Sequence, residues 1–289
     1  MLFWSQMQLI CGLAIALLGT ISMCAADAPW FLTYSHHMEE PGSLEISLSG
    51  LTGHPAGGGR FLNNTLELEY GATGWWTTEM YLTGQTTLTG FRWENRIRPL
   101  MREHWINPVI YVEFENLNGA DKSALEVVGH DGQRDLAVDN GEARREKKHE
   151  IEAKLLLGSN FKGWSIAENF VLEKNLRNNP WEFGYAAGIS RPLRLAASPQ
   201  ECRWCRENFR VGVEMYGGLG TRHDFGLRGT SHYVAPAVAW QLPSGATVQI
   251  STGFGITKES AGLLLRFGAS YEISTFGRAA RRMFAGAQR

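Results

Sequence analysis

From residue 43 onward, apolar and polar positions alternate with a period of two in one segment after another, and Gly, Asn and Pro punctuate the segments. The clearest stretch is 262–273. Leu263, Leu265, Phe267, Ala269, Tyr271 and Ile273 share one face there, while Leu264, Arg266, Gly268, Ser270 and Glu272 share the other. Phe91, Trp93, Asn95 and Ile97 likewise oppose Arg92, Glu94, Arg96 and Arg98, and Val248, Ile250, Phe254 and Ile256 oppose Thr247, Gln249, Ser251 and Gly253. Successive side chains of a strand point to opposite faces, so these are strands with one apolar and one polar face. The pattern predicts an all-β chain with about twelve antiparallel strands: 43–51, 61–71, 74–84, 87–99, 107–116, 148–157, 163–174, 180–191, 208–219, 232–242, 246–256 and 262–273. An even number returns both ends to one side, as in bacterial membrane barrels.

The connections fit that topology. Short turns near 72–73, 102–106, 159–162 and 243–245 fall on one side, and the longest connection, 117–147, falls on the other. The 198–207 connection is long for its side. Trp75, Trp76, Trp105, Trp164, Trp181, Trp240 and Phe276 stand near strand ends, where aromatic girdles meet the membrane–water boundary.

Residues 1–26 contain no charged side chain, with an apolar run over 9–21 followed by Ser22, Ala25 and Ala26. That is the pattern of a cleaved secretory signal, too short for a comfortable span of roughly 20 residues. Ile21-Ser22-Met23-Cys24 has the outline of a lipidation site, with Met23 where a small residue is usual, so acylation of Cys24 is the alternative fate. The expected organisation is signal 1–26, a periplasmic lead-in 27–42, a barrel 43–276 and a basic tail 277–289. No later apolar stretch is long enough for a membrane helix. Alternation then leaves two architectures, a secreted β-sandwich that binds a ligand or a transmembrane β-barrel. Charged residues on the polar face of nearly every strand favour the barrel.

Composition narrows the classes further. A formal net charge of −1 and a pI near 6.7 argue against a sequence-independent nucleic-acid binder, which needs a basic surface. With 4 cysteines in the chain, Cys11 and Cys24 within the signal, this is no disulfide scaffold. The hairpin Leu66-Glu67-Leu68-Glu69-Tyr70-Gly71-Ala72-Thr73-Gly74-Trp75-Trp76, with the signal and the run of hairpins, resembles Gram-negative outer-membrane β-barrels. It is most similar to the small transporters associated with the meta-pathway of phenol degradation. The resemblance implies an outer-membrane location and passive uptake of small solutes without a cofactor, with lipid and the barrel assembly machinery as partners. Such barrels usually finish on an aromatic residue, whereas here 277–289 follows, with Arg278, Arg281, Arg282 and Arg289.

Alternation assigns an inward charged face made of Glu45, Glu67, Glu69, Arg92, Glu94, Arg96, Arg98, Glu150, Glu152, Lys154, Glu182, Glu214, Arg266 and Glu272. Acids predominate, and Arg92, Arg96 and Arg98 form a basic ladder facing neighbouring glutamates. The expectation is a constricted, weakly cation-preferring bore. Cys202 and Cys205 read as a structural disulfide of an exported chain. His36-His37-Met38-Glu39-Glu40 carries metal-ligand chemistry but reads as solvated lead-in, and the charge-rich 117–147 as a solvated outer loop. Ser231, His232 and Asp224 lie close in sequence, but adjacent strand residues face opposite ways, so no catalytic centre is expected.

Overall fold

The computed structural model describes residues 28–124, 127–130, 132–177, 179–198 and 202–280. The signal 1–26, with Cys24, and residues 281–289 of the basic tail lie outside them. Twelve long strands form, in chain order: β1 (Leu44–Gly53), β2 (Phe61–Thr73), β3 (Trp76–Gly84), β4 (Leu88–Ile97), β5 (Asn107–Asn118), β6 (Lys147–Phe161), β7 (Trp164–Asn175), β8 (Trp181–Pro192), β9 (Phe209–Thr221), β11 (His232–Gln241), β12 (Ala246–Gly255) and β13 (Leu263–Ile273). The two-residue β10 (Asp224–Phe225) only extends the β9 hairpin. Every long strand pairs antiparallel with two neighbours. The first strand pairs with the last, Leu44 opposite Ile273, and β8 pairs with β9, so the sheet closes into a barrel. Closure removes the unpaired edges that lipid cannot satisfy.

Alternation decides which face meets what. Trp93 on β4 is 50% exposed on the outer wall, Phe170 on β7 52% and Ile250 on β12 51%, and Leu48, Ile110, Leu155 and Leu263 join them. The charged face points in, with Glu94 and Glu214 at 0% exposure. A soluble sandwich would bury the first set and expose the second. This inverted distribution around a closed wall is that of a barrel in lipid.

Both ends of the chain of strands lie on the side of the short turns, the periplasmic side in such barrels. Lys162-Gly163 joins β6 to β7 in two residues, with φ of 50° and 83°. Two positive φ values match the strand twist across a two-residue hairpin, and only glycine adopts them freely. Trp105, Phe161 and Trp164 mark this end, with Trp204 stacked 4.2 Å from Trp240.

Two segments expected outside the wall lie within it. The lead-in 28–42 threads the bore from the periplasmic side. The 119–146 connection folds in from the outer side, carrying short helices Gly132–Ala137 and Asn140–Ala143. Leu136 packs with Phe61, Tyr216, Tyr233 and Leu264 in an apolar cluster inside the barrel, and Val128 and Gly129 bridge to Gly184 and Gly220. Lys122 Nζ donates to the Leu136 and Val138 carbonyls at 2.6 and 2.9 Å. Asp121 and Lys122 are thus buried and paired inside the wall, whereas Arg134, Asp135, Asp139, Glu142, Arg145 and Glu146 stay exposed, as expected of a solvated outer loop.

Replacing Ile250 with Arg puts a charge in the lipid belt and is expected to destabilise the barrel by about 2–4 kcal/mol. Urea unfolding in lipid vesicles measures it, and Gln249→Leu on the inner face should shift far less. Equal tolerance of both changes would contradict the assigned faces.

Candidate functional site

The register of the wall gathers its glutamates into one line. Crossing from β13 through β1 to β8, nine successive strands place directly opposed residues Glu272, Glu45, Glu69, Glu79, Glu94, Glu113, Glu152, Glu173 and Glu182. Strands tilt against a barrel's axis, so a row running straight across the sheet climbs the wall. Glu272 and Glu45 sit at the periplasmic ends of β13 and β1, Glu113 in mid-β5, and Glu173 and Glu182 at the outer ends of β7 and β8. Like charges directly opposite one another destabilise a sheet, so nine in register need cations beside them.

The chain supplies three on the flanking rows. Arg96 bridges Glu69, Glu79 and Glu94, the last at 3.2 Å. Lys154 Nζ lies 2.8 Å from Glu152 and above the rings of Tyr111 and Tyr34, 4.1 and 4.7 Å from their centres. Arg92 lies 3.9 Å from Glu113, 3.6 Å from Glu115 and 3.4 Å from Asp121. The Tyr81 hydroxyl lies between the Glu79 and Glu94 carboxylates and shares its one proton with them, and Tyr111 Oη donates to Glu113 at 2.5 Å. Burial raises the Asp121 pKa, but Arg92 and hydrogen bonds from Ser123 and Thr83 overcome it and hold the carboxyl below its ordinary range.

The lead-in segment is gripped by inward side chains. Glu214 accepts from the backbone N–H groups of Phe31, Leu32 and Thr33 at 3.2, 3.1 and 3.1 Å, and from Thr33 Oγ1 at 3.1 Å. Asn169 accepts from Tyr34 N at 2.6 Å and donates to its carbonyl at 2.9 Å. Those bonds satisfy a segment that has no strand partner of its own. Glycines give it room, since a Cβ at Gly188 would overlap the Trp30 ring and one at Gly158 the His36 ring. His36 Nε2 lies 2.9 Å from Glu103; burial, then His37, holds its imidazole below the ordinary value.

This plug divides the remaining space. An outer cavity of about 310 Å³ is lined by Glu150, Glu152, Glu173 and Glu182. A periplasmic cavity of about 390 Å³ is lined by Glu45, Glu69, Arg96 and Glu272. Both touch Phe31, Tyr34, Ser49 and Glu67.

Of the residues read as luminal, Glu67, Glu69, Arg92, Glu94, Arg96, Glu150, Glu152, Glu214, Arg266 and Glu272 all lie on the inner face. Arg266 donates to the Ser123 carbonyl at 2.9 Å. Arg98 departs from the expected ladder. It lies beyond the end of β4, where Nε donates to the Leu100 carbonyl at 2.8 Å and Nη2 meets Glu103 at 3.3 Å, so it is a rim residue. Cys202 and Cys205 are bonded in the turn before β9, with Cα atoms 5.3 Å apart. The rings of His36 and His37 lie 4.4 Å apart because this stretch is no strand. His232 engages Thr230 and Tyr185, and the side chain of Asp224 is 86% exposed near His130. The sequence reading missed Glu79, Glu113, Glu115 and Glu173. Each has at least one apolar neighbour in a strand already assigned, Met80, Val112, Phe114 and Leu172 respectively, and that alternation was the signal available.

A closed twelve-strand wall, apolar outside and charged within, defines a β-barrel of the outer-membrane kind. No family model and no characterised relative matches the sequence. Among solved structures the chain is similar to the KdgM porin, with TM-score 0.51 and 7% identity over 78% of this chain and 98% of that one. It is also similar to the COG4313 outer membrane channel from Pseudomonas putida F1, with TM-score 0.53 and 10% identity over 82% and 97%. At such identity the likeness speaks for the fold.

Gly188→Leu and Gly158→Leu should expel the plug and leave the wall intact. Amide exchange over 28–36 is expected to quicken by about tenfold or more while the strands keep their protection. Unchanged protection of 28–36 would show that the segment is not held there.

Proposed function

We propose that this protein is a passive outer-membrane channel for small solutes, not an enzyme, and that residues 28–42 and 119–146 hold its bore narrow. The observation that carries the reading is the pair of cavities with charged residues in their linings, one toward each mouth, meeting at the plug residues Phe31 and Tyr34. Side chains alone can fill a barrel with eight strands, and twelve leave more room. Here that room is occupied by chain segments, of which the plug is held by side-chain hydrogen bonds from the wall. The loop is fixed more firmly, through the Leu136 cluster and the Lys122 contacts. The resemblance of the 66–76 hairpin to transporters associated with the meta-pathway of phenol degradation fits this reading at the level of the barrel, and the solute itself belongs to the proposal.

The test is conductance in planar bilayers, with insertion verified by heat-modifiable migration. A chain lacking 28–40 is expected to conduct several-fold better than the whole chain, since the plug separates the two cavities. Silence from both, with insertion shown, would overturn the channel reading.

A further inference from the structure

We propose that the lipid-facing rim at the periplasmic ends of β6 to β11 is a site for an anionic phospholipid of the periplasmic leaflet, with the lipid phosphate on Lys162, Arg191 and Arg203. The site belongs to the outer wall, so it stands whether or not the bore conducts. Each of the three cations lies over an aromatic ring. Lys162 Nζ is 5.1 Å from the centre of Phe161, and the guanidinium carbons of Arg191 and Arg203 are 5.4 and 5.7 Å from those of Trp164 and Trp240. The pairs are contiguous. Phe161 stands directly opposite Trp164, Ser165 opposite Ser190 beside Arg191, Arg191 opposite Val211, and Phe209 opposite Trp240. With strands about 4.8 Å apart, four steps give a basic and aromatic rim roughly 20 Å long. The other cation–ring pairs of the described residues, those of Arg96, Lys122 and Lys154, all lie inside the barrel.

Two observations name the occupant. First, among the described residues none of the three side chains has an ion pair or donates a hydrogen bond. An aromatic face attracts a cation without neutralising it, so the N–H donors stay available for phosphate oxygens. Glu207, an acid of the same rim, is taken up by the Ser198 N–H at 2.6 Å, and Glu168, outward on β7, stands deeper in the wall. Second, the rings continue the lipid face. Phe161 and Trp164 are exposed on the outer wall, and Trp204, 68% exposed, stacks 4.2 Å from Trp240 and 6.2 Å from Phe209. The turn closed by the Cys202–Cys205 bond carries Trp204 there: Trp240 Nε1 donates to the Arg203 carbonyl at 3.0 Å, and Asn208 Nδ2 to that of Cys202 at 2.7 Å. Further along the same face, Ile189, Val211 and Val213 are exposed and apolar. Cations at the rim, indoles at headgroup level and apolar wall beyond match the phosphate, glycerol and acyl chains of one molecule. A soluble phosphate would use only the first of these.

The test is native mass spectrometry of the whole chain in detergent, titrated with dioleoylphosphatidylglycerol and, separately, with dioleoylphosphatidylcholine. The anionic lipid should bind about tenfold or more tighter, since each cation at headgroup level favours it on the order of fivefold. Arg191→Gln with Arg203→Gln should lower that preference by about fivefold or more. Arg102→Gln with Arg278→Gln, which removes the same charge from exposed positions elsewhere at the periplasmic end, should leave it within about twofold. Glycerol 1-phosphate at millimolar concentration should not displace the lipid. Equal affinity of the unsubstituted chain for the two lipids overturns the inference without relying on any variant's folding. A preference that survives the Arg191 and Arg203 changes, or falls as far in the control pair, overturns the assigned site. Displacement by glycerol 1-phosphate overturns the lipid as its occupant.

Discussion

A strand in lipid has one face for everything that carries charge. Closing twelve strands into a wall satisfies the backbone, but it sends most of the strands' ionised side chains into the same narrow interior, with Glu168 on the outer face of β7 an exception. There the antiparallel register, fixed to the residue, decides which charges stand opposite which. In this chain it aligns glutamate with glutamate from β13 to β8. The other internal features answer that repulsion. Arg96 is shared by three carboxylates, Arg92 by two and an aspartate from the loop, and tyrosine hydroxyls cover oxygens the cations do not reach. Removing one such cation would leave buried carboxylates without compensation, a larger loss than an exposed ion pair would represent.

The remaining sector of the wall, β9, β11 and β12, is different in kind. Its inner face is largely small or aromatic, with Gly212, Ala235, Ala237, Ala239, Tyr216 and Tyr233. The inward-folded loop lies against this apolar sector, and the lead-in crosses between it and the charged one. Arg210 and Glu214, on β9, are charged exceptions, and Glu214 ties the two sectors together because its carboxylate accepts from backbone N–H groups of the plug. The interior thus has an apolar side that holds chain and an acidic side that stays lined with cavities.

The strands and their inward charges were legible because period-two alternation is a local property, readable without knowing a strand's partner. The structure starts β6 at Lys147 where alternation gave 148, and β12 at Ala246 where it gave the same residue. Register was not legible. Glu69 and Glu79 lie on either side of one hairpin, but Glu45 and Glu272 meet only because the barrel closes, and no spacing in the chain encodes that encounter. The plug escaped for the opposite reason. Residues 28–42 have no periodicity, and their hydrogen bonds come from side chains far away in sequence, Asn169 and Glu214 among them. Arg98 shows the cost of extending a pattern beyond its strand, since alternation continues through it while the sheet ends at Ile97.

The account stands or falls on which face of the wall meets lipid. Spin labels at single positions measure this directly, through their collisions with oxygen dissolved in the bilayer and with a water-soluble nickel complex. Labels at Phe170 and Ile250 are expected to meet oxygen, and labels at Glu173 and Glu182 the nickel complex. The reverse accessibility would contradict it.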